Sequence, residues 1–210
     1  MMEIYTGTSW NKDNIAKCIE YDIGMVSTPK DPVQPDKISN KIKVIWDNGA
    51  FHGGFNAALW RKQTDKIKRE IVFAVVPDVV GKAKESLELS KVWVDQIPFK
   101  KYLALQDGMD YDMVYSVLSE CDGAFLGGSV QWKWDTLSYW IPKVHALGLK
   151  FHVGRCNGLI QWDRAYWAGA DSVDGSTVIR HNLLDTIPKF YIHAIEQKRF
   201  VHYVDKVGSP

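Results

Sequence analysis

Asp47, Asp78, Asp107 and Asp174 each follow a short apolar run and precede a helix-like stretch. Their segments read VIWDNGAF (44–51), IVFAVVPDVVG (71–81), KYLALQDG (101–108) and ADSVDGST (170–177). Two further runs, GAFLGGS (123–129) and KFHVGRCNG (150–158), meet glycine at the same point. Taken one at a time, each acid reads as a turn or helix-capping residue. Gathered on one rim they would do chemistry. Close carboxylates divide labour, one ionised as a nucleophile, another carrying a proton as acid or base. That equipment cleaves a glycosidic bond through an oxocarbenium-like state. Asp171 and Asp174 straddle one strand, and period-two alternation sends only one of them to a central pocket.

The non-acidic strand ends point to a flat ligand. Gly127 and Gly128 let such a ligand approach the backbone closely, and Gly154 offers the same. Gln106 carries both a donor and an acceptor, which suits the edge of a base. Phe51, four residues past Asp47, is placed to cover a planar ring.

These residues need elements that bring them together. Apolar, β-rich runs predict strands at 3–7, 24–28, 43–47, 71–76, 102–106, 123–127, 150–154 and 171–175. Between them, helical periods cover 11–21, 54–69, 82–97, 110–120, 134–147, 157–168 and 183–198. Eight strands alternating with helices predict a compact (β/α)8 barrel, with the strand ends on one face. At 210 residues the chain fits a single barrel domain over 1–210 with short loops. A doubly wound open sheet is the alternative, but no GxGxxG follows the first strand and no GxxxxGK[ST] occurs. The loop from Pro29 to Pro35 is expected to act as a flap.

Composition narrows the class. The formal charge is +1, so no global basic field marks a nucleic-acid partner, though a local basic rim would vanish in that sum. Nine tryptophans leave room for stacking surfaces as well as core. Cys18, Cys121 and Cys156 are widely spaced with no CxxC, so neither a zinc site nor a disulfide frame is expected. His152 and Cys156 stand four apart, but across a strand-to-loop junction rather than on one helical face. No metal and no cofactor is expected. The opening MMEIYTGTSW has no signal-peptide pattern and no stretch approaches a membrane span, so a cytoplasmic protein is expected.

In order and spacing, DNGAF, PDVVG, LQDG, FLGGS, HVGR and DSVDGS resemble the strand ends of the tRNA-guanine transglycosylase superfamily. The similarity covers roughly residues 44–178 and leans toward the short DpdA-like DNA 7-deazaguanine transglycosylases of phages and bacteria. The resemblance implies a (β/α)8 barrel that exchanges guanine in nucleic acid for a 7-substituted 7-deazaguanine. It implies Asp174 as nucleophile, Asp47 as general acid and base, and Asp171 as structural. Phe51 then stacks on the base, while Asp78 and Gln106 read its edge. Gly127 and Gly128 read its carbonyl, with Ser129 lining the pocket for the 7-substituent. Val153 and Gly154 cover the other face. Lys133, Arg155, Arg164 and Arg180 become phosphate contacts. The CxCxxC-plus-His zinc site of the tRNA enzymes is missing here, as is their Arg-rich continuation after the nucleophile motif. Both differences favour DNA over tRNA and put the family's dimer in doubt, leaving the oligomeric state open; the resemblance to phage and bacterial enzymes implies the cytoplasm of a bacterium or phage-infected cell.

Overall fold

Period-two alternation decides this architecture, because each strand residue faces either the barrel axis or the helices. The structure, a computed structural model, describes residues 1–32 and 38–207, with side chains as far as 197. Its strands are β1 (Glu3–Gly7), β2 (Gly24–Ser27), β3 (Val44–Trp46), β4 (Ala74–Val75), β5 (Lys101–Leu105), β6 (Gly123–Leu126), β7 (Lys150–Val153) and β8 (Ser172–Asp174). They pair in parallel in chain order, and β8 closes on β1. The predicted (β/α)8 barrel is the fold. Helices α1 (Lys12–Glu20), α2 (Ala57–Thr64), α3 (Ala83–Trp93), α4 (Tyr111–Leu118), α5 (Val130–Ala146), α6 (Leu159–Ala168), α7 (Thr177–Arg180) and α8 (Thr186–Val207) follow the strands, except between β2 and β3.

Local signals set the boundaries. Asn11, Asn56 and Asp110 cap α1, α2 and α4 by accepting backbone N–H bonds in the first turn. Gly53 and Gly54 hold φ values of 95° and 86°, which delays α2 beyond the expected 54. Ser129 caps α5, so that helix starts at Val130 rather than Trp134. The one-turn α7 was not expected. It carries too few residues to show a period. Only Pro29 to Pro32 of the expected flap fall within the described residues; residues 33–35 lie outside them. No helix among the described residues is long and apolar enough to cross a membrane.

Two cores result. Outward residues, including Ile4, Met25, Trp46, Leu103, Leu126, Phe151 and Val173, meet the helices in one continuous cluster. Each large side chain buried there stabilises the fold by about 1.5–3 kcal/mol. Inward residues Tyr5, Ile45, Phe73, Val75, Tyr102 and Ala104 fill the barrel. Phe73 stacks on Tyr102 with ring centroids 3.8 Å apart, and Tyr5 meets Phe73 edge-on at 6.4 Å. Two glycines make room for these rings. A Cβ on Gly24 would lie 2.2 Å from the Tyr5 ring, and one on Gly123 would lie 2.7 Å from Tyr102. Filling either space overpacks the barrel floor. Gly24→Ala is expected to lower stability by about 1–3 kcal/mol, read as a lower urea midpoint with an unchanged m-value.

Candidate active site

The C-terminal strand ends surround a cavity of about 690 Å³. Asp174 ends β8 with its side chain on the axis, one step above Ser172. His152 occupies the matching inward position of β7 and is fully buried. Its Nε2 lies 2.9 Å from Asp174 Oδ1, and its Nδ1 lies 2.8 Å from Ser172 Oγ. An ionised carboxylate only accepts, so Nε2 is the donor toward Asp174. The imidazole stacks on Phe125 at 5.0 Å and meets the edges of Phe73 at 5.2 Å and Tyr5 at 6.0 Å. Aromatic rings thus fix the ring that fixes the acid. The backbone N–H of Arg155 donates to the same Oδ1 at 3.3 Å.

Asp47 leaves β3 and accepts from Gly49 N at 2.6 Å. Burial pushes its carboxyl up from the ordinary 3.8 to about 7, and the Gly49 bond opposes that shift. Nearby Asp174 and Asp78 push it further up, while Arg155 pulls it down. Asp78 Oδ1 accepts from Asn48 Nδ2 at 2.7 Å, and Oδ2 accepts from Gln106 Nε2 at 2.5 Å. Burial raises Asp78 to about 6, against those two hydrogen bonds. Gln106 Oε1 in turn accepts from Gly81 N at 2.9 Å and Gly128 N at 3.1 Å. The guanidinium of Arg155 lies 4.3 Å from the centre of the half-exposed Phe51 ring and donates to Gly128 O.

Most of the sequence-predicted residues meet here. Asp47, Asp174, Phe51, Asp78, Gln106, Gly127, Gly128, Arg155 and Arg180 all line the cavity. Gly154 abuts it, since a Cβ there would lie 2.5 Å from Phe125 and 3.4 Å from Asp174 Oδ1. Four residues are elsewhere. Val153 faces outward into the helical core, because His152 takes the inward position beside it. Ser129 is exposed, and its hydroxyl donates to Asp107 at 2.5 Å. Lys133 is buried, with its ammonium on Gly154 O, and cannot meet a phosphate at the rim. Arg164 lies on α6, donating to Trp134 O at 3.0 Å with its guanidinium over the Trp134 ring. The Gly127 and Gly128 N–H groups are already bonded, to Leu105 O and Gln106 Oε1. Asp171 sits at the far end of β8, bound by Lys150, His145 and Phe151 N.

His152, Asn48 and Phe125 are the residues that strand-end reasoning missed. The signal existed for two of them. Counting back by two from Gly127 and Gly154 puts Phe125 and His152 on the axis beneath the rim. Among the described residues, no group of three or more His, Cys, Asp or Glu is placed to hold a metal ion.

No protein-family model matches the chain, and no curated protein matches it in sequence. Solved structures do resemble it. One is a monomeric dihydrodipicolinate synthase variant, with TM-score 0.55 and 12% identity over 97% of this chain and 79% of that one. Another is phosphoribosyl anthranilate isomerase from Thermococcus kodakaraensis, with TM-score 0.56 and 9% identity over 91% of this chain and 99% of that one. Both neighbours are enzymes. At such identities the likeness shows the barrel fold alone.

The raised carboxyls have a consequence for stability. An acid with a raised pKa in the folded state binds its proton more tightly there than in the unfolded chain. Its contribution is complete below about 4 and is lost as pH rises through about 7 for Asp47 and about 6 for Asp78. The melting temperature is therefore expected to fall as pH rises from about 4 to about 7. Asp47→Asn removes the larger part of that fall and is expected to gain about 0.5–2 kcal/mol at high pH, checked by thermal melts across the range.

Proposed function

We propose that this barrel is a base-exchange pentosyltransferase that replaces guanine in nucleic acid, DNA in preference to tRNA, with a 7-substituted 7-deazaguanine. The observation that carries the reading is the unequal pair on one rim. Asp174 is held by hydrogen-bond donors, whereas Asp47 keeps a proton near neutrality. The strand-end resemblance supplies the substrate class.

In the proposed reaction the target guanosine leaves its stack, which costs a few kcal/mol and favours single-stranded sites. Phe51, backed by the Arg155 guanidinium, offers a stacking surface. Phe125 supplies the second apolar wall that the outward-facing Val153 cannot. Asp78 and Gln106 read the base edge, with Gln106 exchanging its bond from Gly128 N for one to the base. Asp174 Oδ2 attacks C1′ as the C1′–N9 bond breaks. The electron pair goes to guanine N9, and Asp47 donates the proton. The incoming deazaguanine gives its N9 proton to the Asp47 carboxylate and attacks C1′, and the ester to Asp174 breaks. Two displacements retain configuration, and atoms balance without a cofactor. Carbon at position 7 removes a protonation site from the product base, so exchange runs one way. Arg155 and Arg180 face the cavity mouth as phosphate contacts.

The test supplies guanine-containing single-stranded DNA, or tRNA, together with labelled 7-deazaguanine, and reads nucleosides by mass spectrometry. Label in DNA without abasic sites is the expected result. Abasic sites without label would mean a hydrolase, and label in tRNA alone would overturn the DNA preference. Asp174→Asn is expected to lose at least about 10³-fold in rate and to form no glycosyl-enzyme. In the wild type, kcat/KM for base departure falls as pH rises through about 7, where Asp47 loses its proton.

A further inference from the structure

Lys133 is a buried charge that this reaction leaves unused. It lies in the first turn of α5 and is 1% exposed. Among the described residues its hydrogen bond goes to Gly154 O, and its ammonium lies 5.5 Å from the Trp134 ring centre. Burial holds its pKa below that of an ordinary lysine. Removing an ammonium from water costs more than one hydrogen bond returns.

The peptide that Lys133 grips has a second end. Gly154 C=O and Arg155 N–H belong to one planar unit, and that N–H donates to Asp174 Oδ1. The unit therefore joins cation to carboxylate with its dipole aligned. An ammonium on the C=O polarises the peptide and strengthens donation at the N–H. The backbone is shaped for this. Arg155 holds φ 56°, a left-handed conformation that is strained for a non-glycine residue. Bonds on either side hold the turn: Cys156 N donates to Asp174 O at 2.5 Å, and the Arg155 guanidinium donates to Gly128 O.

We propose that Lys133 is a positioning residue for Asp174, acting through the Gly154–Arg155 peptide to fix and polarise the N–H that holds Oδ1 and so leave Oδ2 facing the cavity. The proposal rests on the reading of Asp174 as nucleophile. Lys133 itself touches neither sugar nor base.

Lys133→Met keeps the aliphatic stem and removes the ammonium. Two measurements on the full chain test it. In the first, the Arg155 amide proton is expected to move upfield both in Lys133→Met and in Asp174→Asn; an unmoved resonance in Lys133→Met overturns the proposal. In the second, single-turnover glycosyl-enzyme formation on a single-stranded guanine oligonucleotide is expected to slow about 10- to 100-fold. KM is expected to stay unchanged, and the melting temperature to be no lower than that of the wild type. An unchanged rate, or a raised KM with a lowered melting temperature, overturns it. If the wild type forms no glycosyl-enzyme, the reading of Asp174 fails, and the Arg155 amide alone decides the Lys133 relay. Lys133→Gln, read in the same two ways, serves if Lys133→Met does not fold.

Discussion

A closed parallel barrel leaves a side chain no third direction, and that constraint governs everything above it. Residues one apart on a strand face opposite solvents, the aromatic axis or the helical shell. Neighbouring strands in register put His152 beside Ser172 and Phe125 beside His152. Once Tyr5, Phe73 and Tyr102 fill the lower axis, the next inward layer is the floor of the cavity. His152 stands at that boundary, with rings beside it and Asp174 above. Slipping β7 by one residue would send His152 outward and Val153 to the acid.

The same closure sets the electrostatics. Carboxylates at the ends of short strands sit close to an apolar interior and lose hydration there. Asp78 offsets part of that loss through Asn48 and Gln106. Those bonds also tie four βα loops together, since Gln106 reaches Gly81 and Gly128 from its other end. The network that makes the site polar is thus the network that fixes its walls. A bound ligand reading the edge of this pocket must exchange bonds with it rather than fill empty ones.

The fold was legible because it depends on repetition. Eight strand segments appear in the sequence, seven of them followed by a helical period, and their order matches the closed sheet. Boundaries were less legible. Caps such as Ser129 and glycine turns at Gly53 and Gly54 act over single residues that period counting averages away. Of the site, the strand-end residues Asp47, Asp78, Gln106, Gly127, Gly128 and Asp174 were recoverable as one rim. The errors share a cause. Ser129 and Lys133 were assigned by closeness in sequence to a strand end and Val153 by the resemblance, neither of which reads side-chain direction, whereas parity, capping and burial decide where each points. Arg164 and Lys133 look alike as charges in the sequence, and only helix rotation separates a surface guanidinium from a sealed ammonium.

Parity also explains why the two central acids are not equivalent. Asp174 lies on a strand flanked by β7, so it inherits donors from the neighbouring ladder: an imidazole N–H from the inward position and a peptide N–H from the turn that follows. Asp47 lies just past β3, and β4 beside it is only two residues long. The hydrogen bond it accepts comes from its own loop, at Gly49 N. An acid with strand-borne donors suits an attacking carboxylate, which must hold one orientation while charge leaves it. An acid with a loop donor and raised affinity for its proton suits transfer to and from a base. The difference in role thus follows from where each aspartate stops relative to its ladder.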